Sequence, residues 1–260
     1  MTATATRFAR LSIHREAPVA RITLNNPPWN IIDMAMMEEL TSVLNEIESQ
    51  SSISAIVFNG AGKGFSAGVD VAAHARETVA SMLRNFHSVV RALVSTKKVT
   101  IAAVDGHCLG GGAELAMVCD FVYTTDEAKW GFPEIRLGCF PPVAATALAA
   151  LIGQKRAADL ILSGRNITGA EAARMGLATA AAPEAQLSSV VDQCTARIGM
   201  LSPVALAVTK KAMYAWDSMH FDKGLARAEK IYLEELVETV DAQEGIRAFL
   251  EKRAPNWTGR

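Results

Sequence analysis

Residues 108–120 read CLGGGAELAMVCD, and the reading of this stretch decides the fold. Three consecutive glycines, Gly110, Gly111 and Gly112, are costly in regular structure, because glycine loses more backbone freedom on folding than any other residue. Placed directly before an apolar helical run, they imply that backbone must come close to something. Residues 97–107, KKVTIAAVDGH, form a strand that feeds the loop, so the order is strand, glycine loop, helix. The N–H groups of a first helical turn have no partner inside the helix and, with the helix dipole, make a site for negative charge. That charge could be a phosphate, but neither G-x-x-x-x-G-K-[ST] nor G-x-G-x-x-G is matched. The other use is an oxyanion hole, where the charge develops during reaction.

Working outward, the same unit recurs. ISAIVFNGAG (53–62) is a short apolar run closed by glycines, followed by the turn KGFSAGVD (63–70), a second possible source of an N–H donor. Residues 77–96 have amphipathic helical spacing, and residues 34–49 place Met37, Leu40, Leu44 and Ile47 on one helical face. Residues 11–24 read as one strand, FVYTTDEAKWGFPE (121–134) as a strand and turn, 143–163 as helix, and 167–178 as a helix capped by Thr168. From Ser202 onward the pattern is all helix. Strands alternating with helices imply a layered α/β fold.

Half of the 260 residues are apolar, enough for one large domain or one domain with a helical appendage. A net charge of −1 gives no global attraction to nucleic acid or an anionic membrane. Cys108, Cys119, Cys139 and Cys194 form no C-x-x-C pair and have no metal-ligand spacing with histidine, which points to free thiols, no metal and a cytoplasmic setting. The N-terminal MTATATRFARLSIHRE lacks the apolar core of a signal peptide, and no unbroken apolar run approaches the ~18 residues of a membrane span.

Two carboxylates bracket the loop. Glu114 follows it, and Glu134 lies in GFPEIRLG (131–138) after a Gly-Phe-Pro turn. Two carboxylates flanking an oxyanion site can share acid and base work when burial raises a pKa toward neutrality. Read alone, the plainer assignment is that Glu114 complements the helix dipole and Glu134 is a surface charge.

Taken together, GKGFSAGVD, AAVDGHCLGGGAELAMVCD, KWGFPEIRLGCFP, ILSGRNITGAEAARMGLA and EGIRAFLEKRAPNW resemble, in order, the motifs of the crotonase (enoyl-CoA hydratase/isomerase) superfamily. The resemblance spans most of the chain and favours the catalytic reading of the carboxylates. It implies an α/β spiral of ββα units over residues 1–200, carrying the CoA and active sites, and a helical oligomerisation region over 201–260. It implies a homotrimer or homohexamer and an acyl-CoA partner, with no cofactor beyond the coenzyme A of the substrate. By the same resemblance, the backbone N–H groups of Val69 and Gly111 form the oxyanion hole. Ala67, Val69, Asp70 and Gly111 bind CoA or substrate, and Phe249 and Lys252 reach the CoA, often of a neighbouring subunit; the plainer reading of Asp70 is a cap of the next helix. Glu114 and Glu134 match the two catalytic glutamates of hydratases: Glu114 activates water and Glu134 supplies the proton to carbon.

Two segments depart from ordinary short-chain hydratases: Asn30–Asp33 (NIID) and 140–148 (FPPVAATAL). With GFPEIRLGCFPP and YLEEL (232–236), they look more like the cyclic dienoyl-CoA hydratases of anaerobic aromatic degradation. Those enzymes convert cyclohexa-1,5-diene-1-carbonyl-CoA to 6-hydroxycyclohex-1-ene-1-carbonyl-CoA by 1,4-addition. The alternative is a general enoyl-CoA hydratase or isomerase of fatty-acid or branched-chain acyl-CoA metabolism. An RNA-binding or noncatalytic relative is disfavoured, since there is no basic run and neither glutamate is lost.

The remaining polar residues take plainer readings. His107, Phe86 and His87 are expected to pack, although the helix of Phe86 and His87 borders the acyl pocket in relatives. Cys139 is a pocket-lining or packing residue, and Phe140, Pro141 and Pro142 are a rigid wall or a turn end. The pairs Lys97–Lys98 and Lys210–Lys211 read as solvated faces.

Overall fold

The computed structural model describes residues 8–260, apart from the side chains of 215–219. The expectation about a signal peptide therefore falls partly on residues 1–7, outside the described ones. The strands are β1 (Leu11–Glu16), β2 (Val19–Leu24), β3 (Ala55–Gly60), β4 (Gly64–Ser66), β5 (Val99–Val104), β6 (His107–Leu109), β7 (Phe121–Thr125), β8 (Lys129–Gly131), β9 (Asn166–Thr168) and β10 (Ala180–Ala182). The helices are α1 (Met34–Glu48), α2 (Val79–Ser95), α3 (Gly111–Met117), α4 (Pro142–Ile152), α5 (Gln154–Ser163), α6 (Gly169–Met175), α7 (Glu184–Gly199), α8 (Pro203–Ile231) and α9 (Val240–Leu250).

Six strands form one sheet in the order β1-β2-β3-β5-β7-β10, parallel except for the β1–β2 hairpin. A second sheet, β4-β6-β8-β9, runs beside it. Each repeat places a long strand in the first sheet, a short one in the second, and then a helix: β3-β4-α2, β5-β6-α3, β7-β8-α4. This is the expected ββα spiral. It brings the turns after β4, β6 and β8 to one edge, so FSAGVD, LGGGAE and GFPEIR meet although they are far apart in sequence.

Composition explains the layers. β3 and β5 are nearly continuous apolar runs covered on both faces, as parallel inner strands must be. Edge strand β1 alternates exposed and covered residues. The single strand expected over 11–24 is a hairpin, because Pro18 has no N–H to give a ladder and the chain turns there. The helix expected over 143–163 is two helices, broken at Gly153, whose φ of 86° is in the left-handed region. Asp33 caps α1 by accepting from Met36 N, and Thr168 caps α6 by accepting from Glu171 N. Trp130, Phe58, Phe65 and Phe132 are wholly buried between the layers, and Trp130 Nε1 donates to Thr124 Oγ1 at 3.0 Å.

The lysine pairs divide. Lys98 and Lys210 are buried, which corrects the solvated reading for these two. Lys210 Nζ donates to Asp120 Oδ2 at 2.7 Å and to Lys98 O at 2.8 Å, tying α8 to the strands below it. At the other end of the C-terminal region, α9 folds back onto the turns at 71–74 and 133–137. It lies so close that a Cβ on Gly245 would be 2.1 Å from Leu137 O.

Candidate active site

The three turns enclose a cavity of about 420 Å³. Its floor is the glycine loop. Gly110 has φ 51° and ψ −129°, a conformation for glycine, and a Cβ there would be 2.6 Å from Glu134 Oε1. A Cβ on Gly111 would meet Val69 Cγ2 at 2.6 Å, and one on Gly112 would meet Ser66 O at 2.8 Å. The loop is glycine three times because a carboxylate, a neighbouring turn and a strand each occupy the space a side chain would need.

The amides of Val69 and Gly111 come together here: the Cβ position of Gly111 is 3.4 Å from Val69 N. Gly111 opens α3, so its N–H has no carbonyl one turn back. The neighbours of Val69 are committed elsewhere, Gly68 N to Ser66 Oγ at 3.1 Å and Asp70 N to Ile32 O at 3.3 Å. The NIID segment thus does not line the cavity but braces this turn. Ile32 N donates to Gly68 O at 2.9 Å, Ser66 Oγ donates to Asn30 O at 2.7 Å, and buried Asn30 donates to Ala61 O and Gly64 O.

Glu114 and Glu134 both line the cavity. Glu114 is buried, and its Oε1 accepts from Val143 N at 2.8 Å and Ala144 N at 2.9 Å, in the first turn of α4. Burial raises its pKa to about 7, against the lowering effect of those two N–H groups. Glu134, in the 3₁₀ turn Pro133–Leu137, is enclosed by protein on the sides away from the cavity, and its Oε2 has no partner. Its pKa is held well above the ordinary carboxylate range, first by burial and then by the charge of Glu114. Both carboxyl groups are thus raised above the ordinary range, and the pair holds a proton toward neutral pH.

The other expected site residues divide. Ala67 lines the cavity, its N–H donating to Trp29 O at 2.9 Å. Phe249 lines the rim of its own chain's cavity, brought there by α9. Asp70 and Lys252 are not among the lining residues: Asp70 instead caps the turn at 71–74, accepting from Ala72 N at 3.1 Å. Phe140, Pro141 and Pro142 form an apolar wall, whereas Cys139 lies behind it. His107 packs edge-on to Trp29, with ring centroids 5.1 Å apart. Phe86 and His87, for which packing is the plainer expectation and a place at the acyl pocket the alternative, line the cavity, as does Tyr232. A larger cavity of about 550 Å³ between α4 and α8 touches neither glutamate nor the glycine loop.

Residues 14–260 match the sequence profile of the Enoyl-CoA hydratase/isomerase family. The chain belongs to this family. It is 37% identical over 250 residues to the cyclohexa-1,5-dienecarbonyl-CoA hydratase of Thauera aromatica, covering 95% of this chain and 96% of that one. It is 35% identical to a probable enoyl-CoA hydratase of Bacillus subtilis, covering 93% and 95%. The crystal structure of an enoyl-CoA hydratase from Mycobacterium avium subsp. paratuberculosis superposes with a TM-score of 0.87 at 27% identity, covering 97% of this chain and all of that one. The protein is a hydro-lyase of the enoyl-CoA hydratase type. Among the described residues, no group of His, Cys, Asp and Glu is placed to hold a metal ion, and no helix is long and apolar enough to cross a membrane.

Proposed function

We propose that this hydratase adds water across a conjugated cyclic acyl thioester, converting cyclohexa-1,5-diene-1-carbonyl-CoA to 6-hydroxycyclohex-1-ene-1-carbonyl-CoA. The observation that carries the hydration chemistry is one cavity lined by two carboxylates, Glu114 buried and Glu134 half-buried, both with raised proton affinity, beside the paired Val69 and Gly111 amides. The two N–H groups stabilise negative charge on the thioester oxygen as the β-carbon becomes electrophilic; one such donor is worth roughly 3 kcal/mol of barrier. Glu114, ionised near neutral pH, takes the proton of the attacking water. Glu134 gives its proton to carbon.

For the diene, water enters at the β-carbon and the proton goes to the γ-carbon at the far end of the conjugated system. The apolar wall of Phe140, Pro141 and Pro142, standing where ordinary hydratases carry a glycine-rich stretch, supports a flat, rigid acyl group. The likeness to the Thauera aromatica enzyme supports the same substrate. A general enoyl-CoA hydratase or isomerase of fatty-acid or branched-chain acyl-CoA metabolism is the second reading, its hydratase form supported by the similar identity to the Bacillus subtilis protein.

Mass spectrometry of mixtures with crotonyl-CoA, a branched enoyl-CoA and the cyclic diene tests the assignment. A gain of one water on the diene, with little on crotonyl-CoA, is expected. Fast hydration of crotonyl-CoA with none of the diene overturns the cyclic reading. We also infer a homotrimer or homohexamer, supported by the exposed apolar Val204, Val208 and Met213 on α8 and tested by light scattering. A cytoplasmic setting is supported by four buried cysteines, none of them in a disulfide.

A further inference from the structure

The cavity of about 550 Å³ between α4 and α8 has no part in the scheme above. Its walls are mostly apolar, with Leu93, Met117 and Phe221 among them. Asp120 and Lys210, also in its lining, neutralise each other at 2.7 Å. Such a space suits an alkyl chain rather than a charged ligand.

Among the described residues, Phe140 is the only one that lines both this cavity and the catalytic one. The walls on either side of it run on from one cavity to the other. On α3, Glu114 lines the catalytic cavity and Met117 the second. On α4 the same holds for Pro142 and Ala145, and at the end of α8 for Tyr232 and Ala228. Each pair is three or four residues apart, so the two spaces lie on the same side of each helix, about one turn or ~5 Å from each other. That is the thickness of a single layer of side chains.

Phe140 is held in that layer. It is half-buried and packs against the core, its ring 5.1 Å from that of Tyr232 and tilted by 57°. Pro141 follows it, and a residue before proline is confined to extended backbone. The acyl group of the substrate runs toward this point. Glu114, which takes the proton of the attacking water, is bonded to the amides of Val143 and Ala144, three and four residues after Phe140. Carbons beyond the one attacked therefore extend beside the start of α4.

We propose that Phe140 is a specificity-determining residue: its ring is the end wall of the acyl cavity, confines the enzyme to compact acyl groups, and closes off a chamber that would otherwise take a longer alkyl chain. The proposal rests on the acyl-thioester reading of the catalytic cavity and names the residue that sets its depth.

Calorimetric titration with saturated thioesters tests this without turnover. The probes are butanoyl-, hexanoyl- and decanoyl-CoA. Each methylene moved from water into an apolar space is worth roughly fourfold in affinity. The parent is expected to bind decanoyl-CoA no tighter than hexanoyl-CoA, because the added methylenes find no cavity. Phe140→Ala should bind decanoyl-CoA at least about tenfold tighter than the parent does, with butanoyl-CoA changed by less than about threefold. Adding Ala145→Phe, which refills the chamber from α4, should cancel the gain. A merely structural role for Phe140 would weaken all three thioesters together.

No gain for decanoyl-CoA in folded Phe140→Ala overturns the proposal, and is the result if a neighbouring subunit fills the chamber. So does a gain that survives Ala145→Phe, or a parent that already binds decanoyl-CoA tenfold tighter than hexanoyl-CoA. If Phe140→Ala does not fold, Phe140→Leu decides by the same comparisons. Failure of the hydratase reading would show separately, as the absence of water addition by the parent in the turnover assay.

Discussion

Gly110→Ala tests how the glycine loop sets the acid. The new methyl group would be 2.6 Å from Glu134 Oε1 and 3.4 Å from its Cδ. An ordinary contact begins at about 3.4 Å, so the carboxylate must retreat by about 0.8 Å. Displacements of about 1 Å in a catalytic group cost on the order of 10²-fold in rate, and that is the expected fall in kcat. KM should change much less, because the loop's contact with the thioester is kept. The backbone adds a second cost: φ 51° with ψ −129° suits glycine, and alanine there loses roughly 1–3 kcal/mol of stability. The assay is the loss of enoyl-thioester absorbance under saturating substrate, beside urea unfolding of both proteins. A folded variant with kcat within about threefold of the parent refutes the reasoning, because Glu134 would then tolerate the displacement.

Gly111→Ala presses a methyl against Val69 Cγ2 at 2.6 Å and spreads the two amides, and steady-state kinetics should show kcat lowered ~10²–10³-fold. The pH dependence of kcat/KM should be bell-shaped. It rises with pH as the pair loses its first proton and falls as it loses the second, both above the ordinary carboxylate range; the apparent values belong to the pair. Stability has the opposite slope. The Glu114 pKa is raised on folding, so its contribution is present below the unfolded value of about 4.3 and is lost as pH rises toward about 7. Thermal melts should therefore show Glu114→Gln less sensitive than the parent over that window. Lys210→Met leaves Asp120, largely covered by protein, without its cation, and urea unfolding should show a loss of about 3 kcal/mol.

The parts of this molecule that were legible in sequence are those in which neighbours along the chain do the work. Three glycines before an apolar run announced a strand-to-helix turn with exposed N–H groups, and the recurrence of strand, turn and helix announced the layered fold. Glu114 and Glu134 were legible as candidates because each adjoins such a turn. The support beneath them was not. The groups holding Glu114 are backbone amides of Val143 and Ala144, which carry no side-chain signature and lie 29 and 30 residues away. His87 and Glu229 are separated by 142 residues, and Lys210 and Asp120 by 90, so each residue looked ordinary where it stood. Only the spiral's closure, with α8 laid across α2 and the strands, brings them together. Asp70 stands in a binding motif, but the capping role its place before a helix also suggested is the one its carboxylate takes.

The central claim is that Glu114 and Glu134 jointly add water to a thioester held by the Val69 and Gly111 amides. Its most direct test is single-turnover hydration in water labelled with ¹⁸O and deuterium, comparing the parent with Glu114→Gln and Glu134→Gln by mass spectrometry. The account predicts that the parent incorporates one labelled oxygen and one solvent hydron. Each variant should lose both together, by a factor on the order of 10²–10⁴ in rate. Hydration at an undiminished rate in either folded variant would contradict it.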